Sequence, residues 1–388
     1  MLSYPMALLF LYKAKNPKTT PHPRRGKRPL RPLTAHQHLT FAVRAGHVLS
    51  YKSMSITQSN TLPIAIYYEQ PHWFKPLFAE LDRRGTPYVK LYAPDHFFAP
   101  EDHPEEKYSL VFNRMSPSAW NRDHGDQIFY TLSFLEHLES RGVKVINGFK
   151  AFASELSKAG QLVLMDKLNI PYPKARVIHR AAQAEEAVVG LRWPIVVKPN
   201  IGGSGAGVKR FDGLSQLQSA IAQDPTSPDA LQFGLDSTAL VQEFIPAEGA
   251  HIVRVEVLNG KYLYAIKVHI TGETFDLCPA DICRTTTGTD LARGACAIDA
   301  PKSGITVEAY TPPADAIADV ELLMQHSGID IGGIEYITDS RDGQRYYYDV
   351  NALSNFVADG PNVLGFDPFA KLADWLESEA NITTAINA

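Results

Sequence analysis

The chain has 388 residues, 45% apolar and 21% charged, with a formal net charge of -4. That length predicts two or three domains, and the composition is that of an ordinary soluble globular protein. No stretch approaches the roughly 18 consecutive apolar residues of a membrane span, and three cysteines (Cys278, Cys283 and Cys296) are too few and odd in number for a disulfide scaffold, which fits a reducing, cytoplasmic setting.

Charge divides the chain near its start. Residues 1–53 hold ten Lys/Arg, six Pro and no Asp or Glu, leaving 28 basic against 42 acidic residues beyond them. With no sustained apolar period, this stretch cannot bury enough surface to offset its ordering entropy, so residues 1–60 read as a disordered basic arm. A transit peptide or a nucleic-acid-binding tail has this character. The composition break at Met54 favours a third reading, that translation starts there, and no nucleic-acid partner is expected.

From Leu62 the pattern is regular. Leu62–Tyr68 predicts a buried strand and Trp73–Arg84 a helix stopped by Gly85. Strands at Tyr88–Tyr92 and Ser109–Phe112, a helix at Gln127–Ser140 and a strand at Val143–Ile146 complete a parallel α/β domain over 61–147. Helices at Phe149–Leu156 and Gln161–Leu168 lead to the breaker Ile170-Pro171-Tyr172-Pro173. A strand (Ala175–Ile178), a helix (Ala181–Val189), a strand (Ile195–Lys198), a glycine-rich loop, a short strand near Val208 and a helix (Leu214–Ala222) form a compact α+β unit over 148–235. The last unit, 236–380, contains strands at Ala239–Phe244, Ile252–Leu258 and Tyr262–Val268, the latter two joined by the hairpin signal Asn259-Gly260. A helix at Ala314–His326, strands at Ile331–Thr338 and Tyr346–Val350 and a helix at Pro368–Glu379 follow.

The glycine loop carries the first chemistry. Residues 202–207 are Gly-Gly-Ser-Gly-Ala-Gly, which lets backbone N–H groups close on an anion, and Lys198 ends the strand before them. No Gly-Lys-Ser/Thr follows, so this is not a Walker loop, and a strand rather than a helix comes next. Phosphate binding and an ordinary surface hairpin both fit the loop alone. Near the C-terminus, Asp349 and Asn351 alternate along a strand and share a face. If the strand carrying Glu335 pairs with it, the three supply oxygen ligands suited to magnesium, which takes one or two carboxylates plus substrate phosphates. Solvated acids on half-exposed strands are the rival.

Taken in order, these segments resemble the ATP-grasp superfamily, closest to its ribosomal-protein glutamate-ligase-like branch, from about Asn147 to Leu364. Ser157-Lys158 with the Asn169–Pro173 ending, the Ile195–Val208 loop, Leu240–Ile245 and the pair Glu335 and Asp349-Val350-Asn351 carry the likeness. It implies an α/β and α+β chain with the ATP-grasp fold, in which an N-terminal parallel α/β domain, a central lid subdomain and a C-terminal mixed-sheet subdomain meet. It further implies ATP and Mg2+ (or Mn2+) as cofactors. Lys158 and Lys198 would contact phosphates while Gly203, Ser204, Gly205 and Gly207 close over them. Gln242, Glu243 and the Phe244–Ile245 backbone would hold adenine, Glu248 the ribose, and Glu335, Asp349 and Asn351 the metal. Arg254 matches an arginine near the transferred phosphate and, with Lys198 and Arg284, is a catalytic candidate. Two departures stand out: Asp349 replaces the usual Glu, and Ala352 to Phe356 lacks the small residues and proline that often follow in the ligases.

The implied activity is an ADP-forming carboxylate–amine ligase working through an acyl phosphate on small-molecule substrates. The alternatives are a small-molecule kinase on the same fold and a non-catalytic ATP-binding regulatory protein. Candidate substrate contacts are Arg114, at the end of a first-domain strand, Arg293, and Ser354 and Asn355 just after the metal Asn. Each has an ordinary structural reading beside it: surface arginines for Arg284 and Arg293, a polar turn for Arg114, local capping for the pair. Cys278 and Cys283 read as buried thiols rather than a zinc knuckle, and His269 as a strand-face residue. Oligomeric state is left open.

Overall fold

The computed structural model describes residues 62–203, 205–269, 306–357 and 359–381. The basic arm, Ser204, Arg284, Arg293 and the three cysteines lie outside them. The described residues fall in one compact unit and form three sheets.

The first sheet is parallel. Strands β1 (Ile64–Tyr68), β2 (Tyr88–Tyr92), β3 (Leu110–Arg114) and β4 (Val145–Ile146) lie in the order β2-β1-β3-β4. Every residue of β1 is buried, as a central strand covered on both faces requires. Alternation sends Ile64, Ile66 and Tyr68 toward Leu77 and Leu81 of α1 (Lys75–Arg84), and Ala65 and Tyr67 toward Ile128, Phe134 and Leu135 of α2 (Asp126–Ser140). Gly85 closes α1 at φ 70°. The predicted Trp73–Arg84 helix begins as a 3-10 turn over Pro71–Phe74, because Pro71 and Pro76 each lack an N–H.

Two short helices, α3 (Phe149–Leu156) and α4 (Lys158–Lys167), meet at Ser157, whose side chain caps α4 by accepting the Gly160 N–H. The second sheet is antiparallel, β5-β8-β6-β7, from β5 (Ala175–Ile178), β6 (Ile195–Pro199), β7 (Lys209–Phe211) and β8 (Ala239–Glu243). One face packs on α5 (Ala184–Ala187) and α6 (Leu214–Ile221). The helix expected at Ala181–Val189 is reduced to a 3-10 turn and the single turn of α5.

The third sheet has the order β11-β10-β9-β12-β13, from β9 (His251–Leu258), β10 (Lys261–His269), β11 (Thr306–Tyr310), β12 (Gly332–Thr338) and β13 (Arg345–Asn351). All its described pairings are antiparallel, where a mixed sheet was expected. Asn259 and Gly260 both have positive φ, the conformation that makes Asn-Gly a tight hairpin between β9 and β10. Helix α7 (Ala314–Ser327) covers one face through Val320, Leu323 and Met324, against Val253, Val255 and Val257. Strand β11 was not expected; it is an edge strand whose residues are mostly exposed, so it has no burial alternation to read.

After α8 (Gly360–Leu364), helix α9 (Pro368–Glu379) returns to the first sheet. Its Leu372 and Leu376 join the core of Ile64 and Leu81, and Arg84 binds Asp374 and Glu377. No described helix is long and apolar enough to cross a membrane.

Asn147 joins the elements. Its Nδ2 donates to the carbonyls of Ile331 and Ala352 at 2.7 Å, and its Oδ1 accepts the N–H groups of Asp330 and Ile331. The residue is 1% exposed at φ 53°. Asn147→Ala leaves those buried groups unpaired, at about 1–3 kcal/mol each. We expect a loss of at least about 2 kcal/mol, read as a lower midpoint in urea denaturation.

Candidate active site

One cleft lies where the second and third sheets face each other. Lys158, Lys198, Gln242, Arg254, Glu335, Tyr348, Asp349, Asn351 and the glycine loop line it.

The second sheet supplies one wall by alternation. Ile195 and Val197 point into the core with Val241, so Val196, Lys198 and Gln242 face the cleft. Lys198 is 7% exposed and its ammonium donates to the Tyr348 carbonyl at 3.4 Å. Burial, reinforced by the nearby charge of Lys158, pulls its pKa down to about 8. The Gln242 Oε1 is buried with no hydrogen-bond partner among the described residues.

Lys158, at the start of α4, lies 3.4 Å from Asp349 and 3.5 Å from the Gly202 carbonyl. Asn200 anchors the glycine loop: its Oδ1 accepts the Ala159 N–H at 2.8 Å and its Nδ2 donates to Asp236 at 2.6 Å. The far side of the loop rests on the 3-10 turn Pro117–Arg122. Asn121 donates to the Gly203 carbonyl, and a Cβ on Gly203 would stand 2.8 Å from that of Ser118.

The opposite wall is the β9-β12-β13 ladder. Glu335 pairs with Arg254 on one side and Asp349 on the other. Between Glu335/Asp349 and Tyr336/Tyr347 the register shifts, leaving Tyr348 as an extra residue on β13. The bulge turns Tyr348 and Asp349 to the same side, so the tyrosine hydroxyl donates to Glu335 at 2.7 Å while Asp349 faces the lysines. Asn351 Nδ2 donates to Asp349 Oδ2 at 3.1 Å. Burial works to raise the Asp349 pKa, but Lys158 and Lys198 outweigh it and hold the carboxyl below its ordinary range. Glu335 is shifted the other way by burial, against the pull of Arg254.

Arg254 donates to Glu335 Oε1 at 2.9 Å and to Glu256 Oε1 at 2.5 Å. Burial opposes its charge; Glu256 and Glu335 more than offset this and leave the pKa raised. A Cβ on Gly333 would lie 2.8 Å from the guanidinium, so this position must be glycine for Arg254 to sit there.

These residues suit a nucleotide and a hard cation. Glu335, Asp349 and Asn351 present an all-oxygen donor set with room for phosphate oxygens, two ammonium groups stand beside it, and Gln242 offers a buried amide acceptor with an open valence.

Other sequence candidates fall elsewhere. Glu243 points away from the cleft and binds the N–H and guanidinium of Arg192 at 2.9 and 2.8 Å. Glu248 is exposed in a 3-10 turn; the Phe244 side chain lies under the Arg210 guanidinium and that of Ile245 is in the core, so the contact expected of these two is through the backbone. Arg114 is buried, and its guanidinium donates to the carbonyls of Ala352 and Ser354 rather than opening to solvent. Ser354 is buried and accepts the Phe356 N–H; Asn355 has a buried Oδ1 without a partner among the described residues. His269 lies on β10, 3.2 Å from Glu308.

Sequence reasoning missed Tyr348, Asn200, Glu256 and Glu155. Glu155 is buried, accepts the Leu353 N–H at 3.0 Å, and is pushed up to about 7 by burial. A charged residue on the apolar face of α3 is the signal that could have found it.

Residues 153–275 match the model of the RimK-like ATP-grasp domain. The D-alanine–D-alanine ligase of Haemophilus influenzae is 30% identical over 133 residues, 33% of this chain and 41% of that protein. A probable alpha-L-glutamate ligase of Teredinibacter turnerae is 25% identical over 142 residues, 36% of this chain and 44% of that one. The chain thus spans less than half the length of these curated relatives. Among solved structures, the ATP-grasp ligase PsnB, complexed with a phosphomimetic variant of its minimal precursor, Mg and ADP, superposes with a TM-score of 0.57. That likeness is at 15% identity and covers 83% of this chain and 100% of that one, so it bears on fold. Residues 153–275 thus carry a RimK-like ATP-grasp domain, and the chain shares the fold of an ATP-grasp ligase.

Proposed function

We propose that this chain is an ADP-forming ligase that phosphorylates a carboxylate with ATP and passes the acyl group to an amine. The observation that carries this reading is the convergence of Lys158, Lys198 and Arg254 on the Glu335, Asp349 and Asn351 oxygens within one cleft closed by a glycine loop. A carboxylate needs activation before an amine can displace oxygen from it. Its oxygen attacks the γ-phosphorus, ADP leaves with the bonding pair, and an acyl phosphate results. The amine nitrogen then bonds to the acyl carbon, phosphate departs with the C–O electrons, and a nitrogen proton passes to water.

The chain's work here is positioning and charge stabilisation. Lys158 and Lys198 hold phosphate oxygens, with Gln242 toward the base. Glu335, Asp349 and Asn351 would hold magnesium, which when bound neutralises charge on the phosphates. Arg254, held at the cleft by Glu256 and Glu335, would stabilise the transferred phosphoryl group. The loop at 202–207 shields the acyl phosphate from water. The named ligase relatives support this class of reaction, and a small-molecule carboxylate and amine are the proposed substrates.

Hydroxylamine trapping tests it. Full-length protein with ATP, Mg2+, hydroxylamine and a panel of amino acids and other carboxylates is expected to release ADP and form a hydroxamate with at least one of them. ADP release without hydroxamate would replace the ligase by a kinase, and ATP binding without turnover would favour a binding protein.

A further inference from the structure

Glu256 has no part in the chemistry above, yet it is a buried carboxylate hydrogen-bonded to Arg254 beside the cleft. It follows Arg254 by two residues on β9, so both side chains stand on one face of the sheet, and it is 1% exposed. Its Oε1 accepts from Arg254. Its Oε2 is buried and has no hydrogen-bond partner among the described residues. A single guanidinium therefore serves two buried carboxylates, Glu256 and Glu335, and one of the four carboxylate oxygens stays unsatisfied. Such an oxygen normally finds a donor.

A second orphan acceptor borders the same region. In the β9–β10 register Glu256 faces Tyr264, whose hydroxyl accepts the Val357 N–H at 2.9 Å. Two residues before Val357 is Asn355, whose Oδ1 is likewise buried and unpartnered among the described residues. Arg114 fixes this turn from the first sheet through the carbonyls of Ala352 and Ser354. The missing partner must bring N–H donors, because both orphans are acceptors. An unpaired carboxylate oxygen favours a donor that also carries positive charge, even with Arg254 and Arg114 near Glu256. A primary ammonium meets both conditions with three donors.

We propose that Glu256, with the side-chain carbonyl of Asn355, forms the subsite for the amine substrate and takes it as a primary ammonium beside Arg254, Glu256 Oε2 then accepting the proton whose departure frees the nitrogen lone pair for attack on the acyl phosphate. This rests on the ligase reading above and names the charge class of its nucleophile. Placing that nitrogen next to the arginine that meets the transferred phosphoryl group brings the two reactants to opposite sides of one guanidinium. Glu256 confers a preference for cationic primary amines over neutral analogues of the same size.

Competition against hydroxylamine tests this, because hydroxylamine is largely uncharged at neutral pH and has no need of an ammonium site. With whichever carboxylate gives a hydroxamate, methylamine and L-alaninamide are titrated in, with N-acetyl-L-alaninamide as the neutral control. In the natural protein the two amines are expected to suppress hydroxamate formation and the neutral control not to. In Glu256→Gln the amine concentration giving half suppression is expected to rise at least tenfold relative to the hydroxamate rate, and Glu256→Asp to recover part of it. ATP affinity, measured on each variant, reports intact folding. Equal amine sensitivity in the natural protein and Glu256→Gln overturns the proposal, as does a natural protein insensitive to both amines. Loss of hydroxamate formation in Glu256→Gln with ATP affinity retained also overturns it, since Glu256 would then act by orienting Arg254. No hydroxamate from the natural protein with any carboxylate sinks the ligase reading itself, and the amine subsite falls with it.

Discussion

Asp349→Asn is expected to lower kcat by at least about 100-fold while leaving ATP affinity within a few-fold of the natural protein, or slightly tighter. The two effects separate because Asp349 faces two kinds of partner. As a proposed metal ligand it supplies a formal charge that an amide cannot, so charge neutralisation on the phosphates is lost. It also stands 3.4 Å from the Lys158 ammonium, and Lys158 and Lys198 hold its carboxyl below the ordinary range. Removing its charge frees both lysines for phosphate oxygens. Single-turnover ADP formation and equilibrium nucleotide binding measure the two quantities independently. Unchanged turnover would remove Asp349 from the metal site.

Arg254→Met is expected to destabilise the fold by about 3 kcal/mol, the lower end for breaking a buried ion pair, as well as to stop the reaction. The cost comes less from lost attraction than from two buried carboxylates that lose the cation hydrogen-bonded to them: Glu256 is 1% and Glu335 2% exposed. Adding Glu256→Gln removes one of them, so the double variant should be more stable than Arg254→Met alone by about 1 kcal/mol or more. Urea denaturation of the four proteins closes the cycle. Additive losses would mean that the Arg254–Glu256 contact contributes nothing.

Several features of the fold and cleft were readable from residue order. The buried run at Leu62–Tyr68, the Asn259-Gly260 hairpin and the alternation of Asp349 with Asn351 are local patterns whose geometry follows from strand and turn stereochemistry. Lys198 and the glycine loop were readable for the same reason, since a lysine ending an apolar strand before four glycines is a local pattern whose backbone can turn N–H groups toward an anion. Glu243 was expected to hold adenine together with Gln242, and its carboxylate is instead bound by Arg192. Gln242 and Glu243 are neighbours, and strand alternation allows only one of them to face the cleft; the choice falls on Gln242 because Arg192, 51 residues earlier, satisfies Glu243. Arg114 was expected at a substrate and instead braces the turn at Ala352 and Ser354, 238 and 240 residues later. The Tyr348 bulge was not visible either, because one unpaired residue changes the facing of a strand without changing its composition.

The sequence by itself determined most of the element order, the glycine loop between two strands, the lysines and the shared face of Asp349 and Asn351, all of which rest on patterns within a few residues. Tertiary structure decided which of them meet: the return of α9 to the first sheet, the bulge that turns both Tyr348 and Asp349 into the cleft, and the sharing of Arg254 by Glu256 and Glu335. These are contacts between residues far apart in the chain, and the free energy that selects them comes from burial and charge pairing, which no local periodicity records.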